Sequence, residues 1–247
     1  MATFTPATWD PLKKGDGVTL SNANKTATST SYSVLSTVGV DGGKWYMEYT
    51  YASGSDQFAG LANELFLTDG VPGASANSIA LLRSSGEIYV NGTSVATFAT
   101  GGTTISMLID ADANKLQFRR NGVDVGPEIT LSGSVFYAVF GNTGKCTLNC
   151  GATAFTYTVP AGYFAGFGAR AFEISGNVKD AAGDNVARQV RAHRRMNGKL
   201  AASGTSNAST GNYTLSTPYE GEHTLTFLDD DAGTAYNALV LDRVTGI

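Results

Sequence analysis

Residues Trp45 to Tyr51 alternate strictly, with Trp45, Met47, Tyr49 and Tyr51 on one side of an extended chain and Tyr46, Glu48 and Thr50 on the other. Successive strand side chains point to opposite faces, so this spacing predicts a strand whose first face is buried. Similar runs follow at Ser78 to Arg83, Glu87 to Val90, Ser94 to Phe98, Thr104 to Ile109, Leu116 to Arg120, Val135 to Phe140 and Lys145 to Asn149. A spacing of about ten residues suits antiparallel sheets joined by hairpins and leaves no room for crossover helices. Asn91-Gly92 and Asn121-Gly122 sit between such runs, where a tight hairpin turn needs residues that tolerate positive φ. Asp110 to Asn114 predicts a further turn, its acidic residues bonding their own backbone.

The chain is long enough for two such domains, since single cores stop growing near ~250 residues. It has 247 residues, of which 42% are hydrophobic and 15% charged, too apolar for disorder. Near Val159 to Gly168 the composition turns Gly-rich and aromatic, and a domain boundary is expected there, giving domains 1-167 and 168-247. Beyond it come Phe172 to Val178, Val186 to Arg194, Lys199 to Ala202, Asn212 to Ser216, Gly221 to Phe227 and Ala238 to Val244. These short segments predict a compact immunoglobulin-like or transthyretin-like sandwich.

A net charge of −4 offers no basic face for a polyphosphate, so nucleic acid is not an expected partner. Met1 to Asp10 lacks a basic segment followed by an apolar run, and no stretch approaches the ~20 apolar residues of a membrane helix. Neither a secretion signal nor a membrane partner is expected. Cys146 and Cys150 lie four residues apart on a predicted strand, about 13 Å between Cα atoms at the usual rise, and should be free thiols.

Several segments together resemble the SPRY domain family over most of residues 1 to 167. They are Trp9 to Pro11 with Gly17 to Leu20, Gly43 to Tyr49, Ser106 to Asp110 with Lys115 to Phe118 and Asn121-Gly122, and Phe136 to Val139 with Thr147 to Gly151. Cys150 stands where that family commonly has Phe, and Gly54 to Asn77 matches nothing in it. The resemblance implies a concanavalin-like β-sandwich that binds partners through its loops and is not catalytic. The second domain is similar to the carboxypeptidase-regulatory-like repeat through Ile174 to Val178, Asp180 to Gly183 and Thr210 to Tyr213. Its last part, Leu228 to Asp231 with Tyr236 to Val244, resembles the ending of virion and tail-associated proteins of tailed bacteriophages. That resemblance implies a structural or adhesive component of a phage particle, tail-associated or capsid-decorating, which partners other virion proteins and itself as a homo-oligomer.

Chemistry-bearing residues are sparse. His193 and His223 fall on predicted strands of the second domain without metal-ligand spacing, and each is expected to be an exposed or partly buried strand residue. Asp229, Asp230 and Asp231, with Asp242, could supply hard oxygen ligands for calcium but lack an EF-hand ladder, and a solvated loop is expected; no metal and no cofactor is predicted. Arg191 and Arg195 should share a face with His193, and Arg188 and Arg194 a face with Val190, which splits the basic residues rather than forming a groove. They could pair with the Asp cluster. No pair of carboxylates is positioned for glycoside hydrolysis. For a ligand such as a host glycan or receptor, the alternative role, Trp9, Tyr51, Phe58 and Phe66 offer flat apolar rings, although core packing suits each as well.

Overall fold

The computed structural model describes residues 3–53, 56–97, 103–180, 182–228 and 239–246. Every regular element among them is a strand. No helix of the described residues is long and apolar enough to cross a membrane. Two compact units result, one of residues 6–169, the other of residues 170 onward together with those up to residue 5.

The larger unit holds two antiparallel sheets. The 7-stranded sheet runs in the order Thr93–Thr97, Glu87–Val90, Ser78–Leu82, Gln57–Asn63, Phe136–Asn142, Ser33–Val40 and Trp9–Lys14. The 8-stranded sheet runs Val123–Thr130, Lys115–Arg120, Thr104–Asp110, Lys44–Ser53, Gly144–Asn149, Thr26–Ser29 and Val18–Ser21, with Phe164–Ala165 added in parallel to Lys44–Ser53. Asn91-Gly92 and Asn121-Gly122 turn with both φ angles positive, as the hairpins require.

Large side chains from both sheets fill the space between them. Trp9 stacks on Tyr49 at 6.0 Å between ring centroids and lies 6.2 Å from Phe140. The Tyr49 hydroxyl donates to the Gly60 carbonyl of the facing sheet at 2.8 Å, which satisfies a buried phenol and joins the sheets. The Gly60 backbone is closely approached, since a Cβ there would lie 1.9 Å from the Ile79 carbonyl oxygen.

Trp45, Met47, Tyr49 and Tyr51 are buried as their alternation predicts, but Tyr46 and Glu48 on the opposite face are buried too. A later part of the chain covers them. Phe155 packs edge-on against Tyr46 at 4.8 Å, and the Glu48 carboxylate accepts the Thr156 and Tyr157 N–H groups at 2.8 and 3.0 Å and the Tyr46 hydroxyl at 2.8 Å. One buried carboxylate therefore clamps this cover onto the sheet. Cys146 and Cys150 are both buried free thiols, and burial pushes both well above the usual thiol range.

In the smaller unit, Thr3–Pro6, Gly168–Asn177 and Asn212–Thr217 form one sheet. Leu200–Thr205, Gln189–Arg194, His223–Leu228 and Leu239–Val244 form a second. The two sheets share one core, in which Ile174, Tyr213 and Leu215 of the first meet Val190, Leu225 and Phe227 of the second. A strand from the beginning of the sequence thus belongs with strands made after residue 168.

Strand Gln189–Arg194 alternates as expected, with Val190, Ala192 and Arg194 buried and Arg191 and His193 half-buried. Arg195 pairs with Glu222 at 3.4 Å. His223, by contrast, is fully buried, its ring nitrogens 3.2 Å from the Thr217 hydroxyl and 3.3 Å from the Val244 carbonyl. Asp229, Asp230 and Asp231, and with them the proposed pairing to the arginines, lie outside the described residues, as does the Asp242 side chain.

Candidate functional site

The outer face of the 7-stranded sheet carries a small apolar cluster of its own. Leu35, Ala62 and Val139 point outward from three adjacent strands, with Tyr137 packed beside them. The segment after Gln57–Asn63 runs across this face and caps it with Phe66. The turn that follows Asn63 brings Phe66 onto the sheet and leaves its neighbours uncovered, so Leu65 is 66% and Leu67 71% exposed.

Polar contacts fix the segment. Asn63 Oδ1 accepts the Leu65 N–H at 2.9 Å, and the Thr68 carbonyl accepts the Ser33 N–H at 2.9 Å. Glu64 accepts the Ser134 hydroxyl at 2.6 Å and the Val135 N–H at 3.1 Å, tying the segment to the turn before Phe136–Asn142. These bonds, the Ser134 hydroxyl foremost, hold the Glu64 carboxyl down at about 2.

Beside the segment lies the edge strand Trp9–Lys14. It pairs with Ser33–Val40 only at Trp9 and Lys14, so residues between bulge outward. Pro11 has no N–H to offer there, and the Leu12 N–H is taken by Asp10 Oδ1 at 2.8 Å. Leu12 is consequently 92% exposed. Lys13 places its ammonium 4.5 Å over the Tyr137 ring. A pocket of about 290 Å³ opens between these parts, lined by Leu12, Lys13, Leu35, Glu64, Phe66, Leu67, Thr68 and Tyr137. Its chemistry is an apolar floor with leucine walls, flanked by one cation and one anion.

The four aromatic residues expected to bind a ligand are distributed differently. Trp9 and Tyr51 are packed between the sheets, and Phe58, on the outer face of the 7-stranded sheet, is buried edge-on against Tyr89 at 5.8 Å. Phe66 is buried as well, yet its ring forms part of the pocket. Leu12, Leu65 and Leu67 were not singled out, because nothing in the sequence marks which leucines stay uncovered. Among the described residues no three His, Cys, Asp or Glu side chains lie close enough to hold a metal.

No family model matches this sequence, and no curated protein matches it. Solved structures do. The PSpry domain of TRIM65 superposes with a TM-score of 0.51 at 16% identity, covering 59% of this chain and 92% of that one. The SPRY domain of human HERC1 gives a TM-score of 0.51 at 16% identity, covering 59% of this chain and 99% of that one. The fold is SPRY-like. The matched share exceeds everything the smaller unit contains, so the larger unit is the SPRY-like part, a concanavalin-like β-sandwich as its sequence segments imply. At this identity the SPRY-like likeness concerns the fold, and the pocket beside Leu12 and Leu67 is a feature of this chain's own residues.

Proposed function

We propose that the protein is a non-enzymatic component of a bacteriophage particle, tail-associated or capsid-decorating, that docks another virion protein on the surface around Leu12, Leu65 and Leu67. The observation that carries the docking role is the exposure of Leu12 and Leu67 on the walls of a pocket of mixed polarity, with Leu65 exposed on the same hydrogen-bonded segment. Exposed apolar surface of this kind marks interaction sites on soluble proteins, and a pre-ordered surface loses little entropy on binding. The SPRY-like sandwich supports a role built on surface segments rather than on catalysis. The particle assignment is supported by the resemblance of Leu228 to Asp231 and Tyr236 to Val244 to phage virion endings. In it the smaller unit, read as an immunoglobulin-like or transthyretin-like sandwich, serves assembly, and a homo-oligomer follows the symmetry of the particle.

Mass spectrometry of purified particles, with light scattering on the isolated chain, tests this. The expected result is the chain in the particles and a defined oligomer in solution. The variant carrying Leu65→Asp and Leu67→Asp should fold normally yet fail to incorporate. A monomer missing from particles, or a double variant that incorporates like the wild type, overturns the proposal. The glycan-binding alternative finds no supporting geometry at Trp9, Tyr51 or Phe58, whose rings are buried.

A further inference from the structure

Buried polar side-chain atoms without a hydrogen-bond partner are few in native proteins, and each calls for an explanation. Among the described residues there are eight, and five belong to Tyr51, Gln57 and Arg120: the Tyr51 hydroxyl, both amide atoms of Gln57, and Nε and Nη1 of Arg120. These residues share one end of the larger sandwich. Tyr51 lies near the close of Lys44–Ser53 and Gln57 opens Gln57–Asn63, on facing sheets and only six positions apart in sequence. Arg120 pairs with Ile105, which pairs in turn with Tyr49, so Arg120 stands on the inner face two strands from Tyr51. Arg83 closes the group, with its N–H bonded to the Gln57 carbonyl at 2.9 Å and its guanidinium 5.6 Å from the Tyr51 ring centroid.

The chemistry of this end is unbalanced. Arg120 is 9% exposed and cannot give up its proton, so it brings a positive charge into the sandwich. Burial pulls its guanidinium down from the usual value, and only Tyr51 acts against this. Glu48, the buried carboxylate of the neighbouring strand, points to the other face of its sheet and is occupied by Thr156, Tyr157 and Tyr46. The unpartnered atoms are mostly donors: the guanidinium and amide N–H groups and the phenol outnumber the acceptors, which are the Gln57 carbonyl oxygen and the phenol oxygen. An acceptor-only group with negative charge matches such a set.

We infer that this end of the sandwich binds an oxyanion group, a carboxylate or phosphate, held by Arg120, Tyr51 and Gln57 with Arg83 at the rim. The group comes from a free anion or from the carboxylate of an acidic peptide. The site is separate from the pocket beside Leu67, which lies on the outside of the 7-stranded sheet.

Titration calorimetry of the full chain with inorganic phosphate, with acetate and with a short peptide of alternating Gly and Glu tests the inference, with sodium chloride at matched ionic strength as the baseline. Saturable binding of at least one probe is expected. Phosphate or acetate binding identifies a free anion, and binding of the peptide alone identifies a peptide carboxylate. Arg120→Met should weaken that binding at least tenfold while leaving thermal stability in chloride equal or higher, because the unmatched charge is gone. Tyr51→Phe removes a hydroxyl without changing volume and should weaken binding severalfold; it carries the test if Arg120→Met does not fold. Leu65→Asp should leave anion binding unchanged. Failure of all three probes to bind the wild type, or undiminished binding by folded Arg120→Met or Tyr51→Phe, overturns the inference.

Discussion

Replacing Glu48 with Ala tests how the outer face of the 8-stranded sheet is held. The change removes three hydrogen bonds to a buried carboxylate and leaves the Thr156 and Tyr157 N–H groups and the Tyr46 hydroxyl facing an apolar void. A buried donor stripped of its partner costs about 1–3 kcal/mol, and no longer desolvating a carboxylate returns part of the sum. The expected loss is about 3–5 kcal/mol. Glu48→Gln keeps one acceptor oxygen but turns an NH₂ toward a backbone N–H, and should cost about 1–3 kcal/mol. Urea unfolding followed by tryptophan fluorescence suits the measurement, because both tryptophans, Trp9 and Trp45, lie in the larger unit and report on it alone. Hydrogen exchange at Thr156 and Tyr157 should accelerate in the same variants. An Ala variant within about 1 kcal/mol of the wild type would refute the clamp, since at least two orphaned donors cannot be that cheap.

Gly60→Ala should destabilise the larger unit by about 2–4 kcal/mol in the same assay, because its Cβ meets the Ile79 carbonyl oxygen, which is backbone and cannot swing aside. Burial, with Arg194 adding to it, lowers the His223 pKa below 6.5, so its stabilising contribution is present above that pH and is lost as pH falls through the folded value. Protection factors at the Leu225 and Phe227 amides, corrected for the intrinsic exchange rate at each pH, should fall on acidification below 6.5, and His223→Phe should flatten that dependence. Cys146 and Cys150, buried and with raised pKa values, should resist iodoacetamide in the native protein and react fully in urea; rapid native labelling would contradict their placement.

The strands with one covered face were legible in the sequence, since period-two alternation survives wherever the other face meets solvent. Gln57–Asn63 escaped notice for the opposite reason: all seven residues are buried, so no polar positions interrupt the run, and Gly60, Ala59 and Ala62 carry little strand signal. Edge strand Val123–Thr130 was hidden by Gly126 and Pro127, which an edge tolerates and a central strand does not. Tyr46 and Glu48 were placed on the exposed side because their cover is a segment more than a hundred residues later. The same limit applies to the candidate site. Aromatic residues suggested ligand contact, but large rings are also the best fillers of a sandwich, and Trp9 and Tyr51 do that, while Phe58 is buried on the outer face of its sheet. Leu12 is exposed because the bulge around Pro11 turns it out, a tertiary fact with no local signature.

The strand Thr3–Pro6 has a consequence for how the chain assembles. It completes a sheet whose other members begin only at Gly168, so in the order of the sequence the entire SPRY-like sandwich is an insertion inside the smaller unit. During synthesis the first strand emerges long before its partner and must wait while the inserted domain folds. The sandwich, once formed, fixes the span between the two pairing segments. It replaces a floppy loop of more than 160 residues with a rigid spacer and cuts the entropy of closing that sheet. Docking of Thr3–Pro6 onto its sheet is thereby favoured by prior folding of the larger unit, and a lesion in the sandwich core, such as at Trp9 or Gly60, should delay a sheet that contains neither residue.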